Sequence, residues 1–585
     1  MRFHGKDELF EGPEGFAMSN AKPWIASYPV EVPASLEYPR VSLTYFLEQS
    51  AREFPHNHAL YFMGRRITYA ELLSLSYRFA HALIRRGVKK GDRVAIMLPN
   101  SPQAVISYYG ALFAGAVVVQ TNPLYTEREL IHQISDSGAE VIVTLDLLFS
   151  RIMNVKSSTS LRRVIVTGMG EYLPALKRLV YPLVQRKQGQ RPQVAYGNGV
   201  EAFSALMDEG DTSPVRVEID PEEDLALLQY TGGTTGTAKG VMLTHQNLIA
   251  NAVQTFAIIY KLKKGQEKIL GALPLFHVYG MTTVMNLGIQ MAAEIQLIPR
   301  FDVKEILKTI HHAKPTLFPG APTMYIALIN HPELKKYDLS SIKACVSGSA
   351  PLPLEVQQRF EELTGGRLVE GYGLTESSPV THSNPLWGHR ISGSIGLPWP
   401  DTDCRIVDPA TGEVLPQGEV GELAVKGPQV MRGYWNRPED TAAVLQDGWL
   451  LTGDMAYMDE KGYFYIVDRK KDMIIAGGYN IYPREVEEVL FEHPAVQEAA
   501  VVGVPDPYRG ETVKAFVVVK PGQTASEEEL DAHCRKRLAA YKVPRIYEYR
   551  SELPKTMVGK VLRRQLQEES RQQTLAEASA QEMAP

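Results

Sequence analysis

Between Tyr230 and Gly240 the chain reads YTGGTTGTAKG, a stretch rich in glycine, threonine hydroxyls and one lysine. Apolar DLALLQ precedes it, and VML follows, leading to Thr244 and a run with Leu248, Ala252, Phe256 and Ile259 at helical spacing. Glycines at Gly232, Gly233 and Gly236 let backbone N–H groups approach a phosphate closely. Thr231, Thr234 and Thr235 add hydroxyl donors, and Lys239 adds a positive charge. The chemistry is that of a cradle for a nucleotide triphosphate. It is not the P-loop of NTPases, which needs Gly-Lys-Ser/Thr so that the last hydroxyl can hold magnesium. Here Ala238 precedes the lysine and Gly240 follows it. Nor is it a flexible linker, since an apolar strand and an amphipathic helix frame it.

Four further segments carry groups suited to the same ligand. EGYGLTESS, from Glu370, puts Gly371 and Gly373 around Tyr372, so that a ring and exposed backbone can meet a flat base. Thr375 and Glu376 then supply a hydroxyl and a carboxylate, suited to phosphate and Mg²⁺ respectively. TGD ends on Asp454, a carboxylate able to accept from both hydroxyls of a ribose. PKTMVGK places Lys560 after Gly559 on a loop from which a lysine can reach an anion, and LPLFHVYG sets His277 among aromatic residues. Singly, each has an ordinary structural reading: a turn, a solvated basic stretch, a core histidine.

The elements that position these groups alternate between strand and helix. DRVAIML, AVVVQ, EVIVTL, AEIQLI, PTLF and IKACVS read as strands, with helices between them. One helix opens on a capping box at Thr126 and Glu129, another on Asp302 with Glu305. This is an α/β pattern with mainly parallel sheets. From about residue 401 the texture changes to short strands separated by Gly/Pro turns, a β-rich subdomain running to about 467. The charged DRKKD, 468–472, reads as the interdomain hinge. A compact α+β unit follows at 473–566, and 567–585 reads as a polar, fraying tail.

Composition bounds the function. At 585 residues the chain exceeds a single core, and 44% hydrophobic with 22% charged residues is ordinary for a globular protein. A net charge of −5 gives no general attraction to nucleic acid. The first residues carry acids where a signal peptide needs an apolar core. Cys345, Cys404 and Cys534 lie too far apart for ligand spacing, which argues against zinc or a disulfide framework. The uncharged stretch Pro274–Ala293 is long enough to span a bilayer, but its His277, Asn286, Gln290, glycines and proline favour a buried segment lining an apolar cavity. In EYLPALKRLVYPLVQRKQ, Leu173, Leu176, Val180 and Leu183 follow helical spacing beside Lys177, Arg178, Arg186 and Lys187. With Pro182 interrupting, a buried or frayed surface helix is expected, with contact to anionic lipid as the alternative.

Taken in order, the Thr/Gly-rich loop, LPLFHVYG, SGSAPL, EGYGLTESS, TGD, VDRKKDMIIAGGYNIYP and PKTMVGK resemble the ANL superfamily of adenylate-forming enzymes, from about Val41 to Leu566. YTGGTTGTAKGVMLTH, PLFHVYGM and VDRKKDMII most resemble bacterial long-chain fatty acid–CoA ligases. The resemblance implies a large N-terminal AMP-binding domain at 1–467, of mainly parallel αβ sheets plus the β-rich subdomain, and a small mobile α+β C-terminal domain. It implies ATP, Mg²⁺ and coenzyme A as cofactor and co-substrates, with acyl-AMP as the intermediate. Thr231 to Gly236 and Lys239 would hold the β- and γ-phosphates. Gly348, Ser349 and Ala350, with Gly371, Tyr372 and Gly373, would bracket the adenine and the start of the acyl tunnel. Thr375 would touch the α-phosphate, and Glu376 would hold the metal. Asp454 and Arg469 would bind ribose, with Ile466 against the base. Lys471 would be the hinge, Lys560 the adenylating lysine, and His277, Gly280, Gly477 and Gly478 would line the acyl and pantetheine channels. The acidic start and the scattered cysteines imply a cytoplasmic protein, the segment 171–188 leaves room for peripheral membrane contact, and a homodimer is left open. Its alternatives are an acyl-AMP ligase loading a carrier protein and a CoA ligase for an aryl or shorter acid.

Overall fold

A computed structural model describes residues 22–582, apart from 188, 191, 232–237, 477–478, 507–508 and 557–558. The apolar strands of the first half build an eight-stranded sheet. Its spatial order is Gly433–Tyr434, Lys239–Thr244, Leu225–Thr231, Val117–Gln120, Arg93–Met97, Val141–Leu145, Arg163–Thr167 and Val200–Ala202. From Leu225–Thr231 to Val200–Ala202 every pairing is parallel. Strands such as Val117–Gln120 and Val141–Leu145 are buried along their whole length, as helix-covered parallel strands must be. The other edge is antiparallel. Lys239–Thr244 turns back on Leu225–Thr231, and Gly433–Tyr434 returns from far along the chain to pair with Val241 and Met242.

A second layer combines two four-stranded ladders. One runs Lys268–Gly271, Glu294–Leu297, His58–Phe62, Arg65–Thr68, and the other Ala344–Ser347, Arg367–Gly373, Val380–Ser383, Leu397–Pro398. Leu317 joins them by single-residue bridges to Ile269 and Ala344. PTLF, expected as a strand, therefore contributes one bridging residue. Pro315 and Pro319 flank it, and neither can donate to a ladder.

Helices fill the space between, and their ends follow the sequence signals. Thr126 and Glu129 form the reciprocal capping box, and Asp302 accepts from Glu305 N at 2.8 Å. The uncharged stretch becomes the buried helix Val278–Gln290, with a π-helical segment at Met281–Asn286. Met281, Val284 and Ile289 are wholly inaccessible. Among the described residues no helix is long and apolar enough to cross a membrane.

Asp403–Val407, Gly421–Lys426, Trp449–Met458 and Phe464–Arg469 form the antiparallel sheet of the β-rich region. Beyond it Ile474–Ala476, Val496–Asp506, Gly510–Val519 and Ile546–Tyr549 make a smaller sheet carrying helices Pro483–Phe491 and Glu527–Arg535. The fold is α/β, a large N-terminal unit followed by a smaller α+β one. Fraying is not what the tail does. Arg563–Glu582 is helical, and its first turns bury Leu566 against Val502 and Phe516 while Lys514 Nζ donates to Ser570 Oγ at 3.1 Å.

Candidate active site

Three strands and a loop of the small unit bring the chemical groups together. Tyr372 ends the strand Arg367–Gly373, and its hydroxyl donates to Asp454 Oδ2 at 2.6 Å. Asp454, 4% exposed, lies opposite Arg469 in the antiparallel register, and Arg469 Nε is 3.3 Å from Asp454 Oδ1. Each carboxylate oxygen still has a lone pair for a ribose hydroxyl. Thr452 supports an irregularity within the strand Trp449–Met458, where Gly453 is left-handed at φ 73, by accepting from Asp454 N at 3.2 Å. Burial, with the Asp454 carboxylate beside it, holds the Tyr372 phenol well above its usual range, so it stays a donor.

Lys560 reaches this group from the small unit. Gly559 is at φ +80, and a Cβ there would lie 2.3 Å from Thr323 Oγ1, so the loop carrying Lys560 is pressed onto the helix Pro322–Ile329. Burial lowers the Lys560 ammonium to about 7, with Arg469 and Lys471 pushing the same way and Asp454 opposing. His277 caps the buried helix, its Nδ1 accepting from Tyr279 N at 3.3 Å. Burial, then Lys560, lowers it to about 4, so the imidazole is neutral. Tyr372, Asp454, Arg469, Lys560 and His277 thus share one electrostatic neighbourhood. Lys471 borders it, its own ammonium lowered by burial.

A second group lies on the neighbouring strand edge. Glu376, in the turn Thr375–Ser377, accepts at Oε1 from the Tyr434 hydroxyl at 2.8 Å. Lys239 Nζ stands 5.1 Å over the Tyr434 ring and 2.7 Å from Asp440 Oδ1. Thr231 and Lys239 face each other across the hairpin whose tip would be the phosphate cradle. Gly232, Gly233, Thr234, Thr235 and Gly236 lie outside the described residues, as do Gly477 and Gly478.

Gly348, Ser349 and Ala350 follow the strand Ala344–Ser347. Gly348 N donates to Gly320 O at 3.0 Å, and Ser349 is left-handed at φ 74. A Cβ on Gly373 would lie 1.9 Å from Pro379 O, so only glycine lets these backbones touch. Gly280 is buried in the helix with a Cβ position 2.3 Å from Pro274 O. Ile466 pairs with Ala456 and packs on the core with part of its side chain accessible. Thr375 opens the turn that carries Glu376.

Tyr434 and Asp440 escape the reading of the sequence. RGYWNRPED shows a helix start, with Pro438 at its first position and acids in the first turn, but not that this turn would meet a lysine two hundred residues earlier. Two more contacts cross between the units. Glu370, raised by burial to about 7, faces Arg484, and Asp468 Oδ2 accepts from Arg484 N at 2.6 Å. On either side of Lys471, Lys470 Nζ donates to Glu422 Oε2 at 2.9 Å, while Arg563 lies 3.7 Å from Asp472.

Mg²⁺ commonly takes one or two carboxylates, completing its shell with water and substrate phosphates. Glu376, held by Tyr434 at one oxygen and beside the strand Lys239–Thr244, fits that mode. Among the described residues no cluster of three or more His, Cys, Asp or Glu side chains offers an all-protein cage.

A buried carboxylate with lone pairs still open, a lysine delivered by a second unit and a hairpin of glycine-rich sequence define an adenylate-forming site. Residues 47–435 match the AMP-binding enzyme family and residues 485–560 its C-terminal domain, and the chain belongs to that family. It is 57% identical over 555 residues to a long-chain-fatty-acid–CoA ligase of Bacillus subtilis, covering 94% of this chain and 99% of the relative. A ligase of the same description from Escherichia coli O157:H7 is 44% identical over 556 residues, with 94% and 98% covered. Among solved structures, an anthranilate CoA ligase in complex with anthranoyl-AMP superposes with TM-score 0.82 at 28% identity, covering 92% of this chain and 99% of that one.

Proposed function

We propose that this chain converts medium- and long-chain fatty acids to acyl-CoA in two steps, using ATP and coenzyme A and releasing AMP and pyrophosphate. The observation that supports it best is the convergence of Lys560 on Tyr372, Asp454 and Arg469, in a chain 57% identical to a long-chain ligase. In the first step a carboxylate oxygen attacks the α-phosphorus, the bond to the bridging oxygen breaks, and pyrophosphate leaves with that electron pair. Both reactants are anions, so charge neutralisation and alignment are what the protein must supply. Lys560 bridges the carboxylate and the α-phosphate, and Thr375 donates to the latter. Asp454 and Arg469 fix the ribose, Ile466 meets the base, and Gly348 to Ala350 with Gly371 to Gly373 bracket it. Lys239 exchanges Asp440 for the β- and γ-phosphates cradled by 231–236. Bound at Glu376, Mg²⁺ would neutralise phosphate charge. In the second step the thiolate of CoA attacks the acyl carbonyl carbon and AMP departs. This needs the place Lys560 occupied, and rotation about Lys471 within the 468–472 hinge clears it, leaving Gly477 and Gly478 along the pantetheine path. His277 and Gly280 border the acyl path.

The reading divides the chain at 1–467, 473–566 and 567–585, and puts the enzyme in the cytoplasm at the membrane periphery, with a homodimer as the assembly to measure. The test is AMP and thioester formation across acids from acetate to oleate, with ferulate included. Each methylene buried in the acyl path contributes about 0.8 kcal/mol, so kcat/KM should rise about four-fold per methylene until the path ends. Preference for acetate or ferulate, or transfer to a carrier protein in place of CoA, would overturn it.

A further inference from the structure

The helix Ala175–Lys187 lies on the protein with its apolar side outward. Leu176, Leu179, Val180, Leu183 and Val184 follow the spacing of one helical face, yet are 83%, 78%, 49%, 59% and 43% exposed. The inward face carries the buried Gln185 and the half-buried Tyr181, the latter against Gly170. A helix covering a core ordinarily does the reverse. The stripe read from the sequence is therefore split: Leu173 is buried at its foot, while Leu176, Val180 and Leu183 are neither buried nor frayed out of the helix. Isolated exposed leucines are common, but a continuous stripe of them marks an interaction site.

Charge indicates what meets the stripe. Between Glu171 and Glu201 there is no acidic residue, in a chain of net charge −5, while Lys177, Arg178, Arg186 and Lys187 lie on the helix. At about 100° per residue Lys177 and Arg186 fall on the two borders of the apolar stripe and Lys187 at its C-terminal end. Lys177 Nζ donates to Met63 O at 2.8 Å, which sets the 41% exposed Met63 beside the helix and widens the apolar patch. An apolar face with basic borders is the pattern of a helix lying in a membrane interface. A second copy packed face to face would oppose these cations with their own like charges.

We propose that this face docks the enzyme on an anionic lipid surface, with the leucines at the boundary of headgroups and acyl chains. The proposal stands on the helix alone, whichever acid is activated; for a long-chain acid it would hold the enzyme where the substrate dissolves.

The test is co-sedimentation of the full chain with vesicles of phosphatidylcholine alone or mixed with phosphatidylglycerol, at low and high salt. The parent should bind the mixed vesicles and release as salt rises. The double variant Leu179→Glu, Leu183→Glu should lose on the order of ten-fold or more in partitioning while keeping its Tm and its turnover of a water-soluble acid. Arg186→Gln with Lys187→Gln should lose about twenty-five-fold on mixed vesicles, about five-fold per charge, and nothing on phosphatidylcholine alone. A parent that ignores mixed vesicles, or variants that sediment as the parent does, would overturn the proposal. So would a leucine variant that turns a dimer into a monomer with no change in lipid binding.

Discussion

Replacing Lys560 with alanine should divide the reaction into a damaged half and an intact one. The ammonium is held in a buried position by the pressed loop at Gly559 and Thr323, beside Asp454 and Arg469. A unit charge about 4 Å from a phosphoryl oxygen contributes about 4 kcal/mol at an effective dielectric of about 20. Arg469 already supplies part of the neighbouring positive charge, so the expected loss is about 3–4 kcal/mol, a slowing of adenylation by about 10²–10³-fold. Pyrophosphate release, or exchange of labelled pyrophosphate into ATP, reads that step. Thioester formation from supplied acyl-AMP and CoA should stay near the parent rate. The pH profile gives a second signature. In the free parent enzyme Lys560 loses its proton as pH rises through about 7, so kcat/KM of adenylation should fall there, whereas the variant should lack this limb. Stability has a definite sign too. Between about pH 7 and the ordinary lysine value the unfolded chain alone holds this proton, so the parent gains stability as pH rises through that window. The variant should accordingly gain most over the parent in Tm near pH 6 and least near pH 10. Equal slowing of both half-reactions, or a variant destabilised at every pH, would refute the assignment and leave Lys560 as a support of the fold.

Lys471→Pro should do the opposite, slowing thioester formation while adenylation survives. The backbone bonds of that turn are donated by Asp472 N and Met473 N to Arg469 O, so a proline at 471 costs neither, and separate half-reaction assays decide it. Tyr434→Phe removes the 2.8 Å bond to Glu376 and should raise the Mg²⁺ concentration for half-maximal adenylation about ten-fold, the equivalent of a charged hydrogen bond of about 1.5 kcal/mol, with Tm little changed. Gly373→Ala forces a Cβ into Pro379 O and should lower stability by about 1–3 kcal/mol or more in urea unfolding while also disrupting adenine binding. Full nucleotide affinity in that variant would show that the close contact is dispensable.

Local signals carried much of this molecule. The strands on either side of the glycine-rich hairpin, the capping box at Thr126 and the burial of Val278–Gln290 all follow from periodicity and cap chemistry within a few residues. PTLF misled because Pro315 and the Pro319 that follows it act on hydrogen bonding and not on hydrophobicity. The tail misled because its polar residues are anchored by partners far back in the chain, Ser570 by Lys514 and Glu569 by Arg550. At the site, residue type was enough to nominate Asp454, Glu376 and Lys560, each a charge beside glycine or threonine, while Arg469 was nominated only through the family resemblance. It could not nominate Tyr434 or Asp440, whose relation to Glu376 and Lys239 exists only once distant strands are paired.

That pairing has a consequence during synthesis. The strand Lys239–Thr244 is an open sheet edge until Gly433–Tyr434 comes to cover it. At roughly 5–20 residues per second, a ribosome delivers the covering segment about 10–40 s after the edge itself has been made. Through that interval the nascent chain presents unpaired backbone along KGVMLT, the kind of edge that recruits strands from other chains. Glu376 has by then lost most of its wait but still lacks Tyr434, and Lys239 lacks Asp440. Chains stalled before residue 433 should therefore be both aggregation-prone and without the Tyr434 bond to Glu376, so that the last strand to join the large sheet closes the edge and supports that carboxylate together.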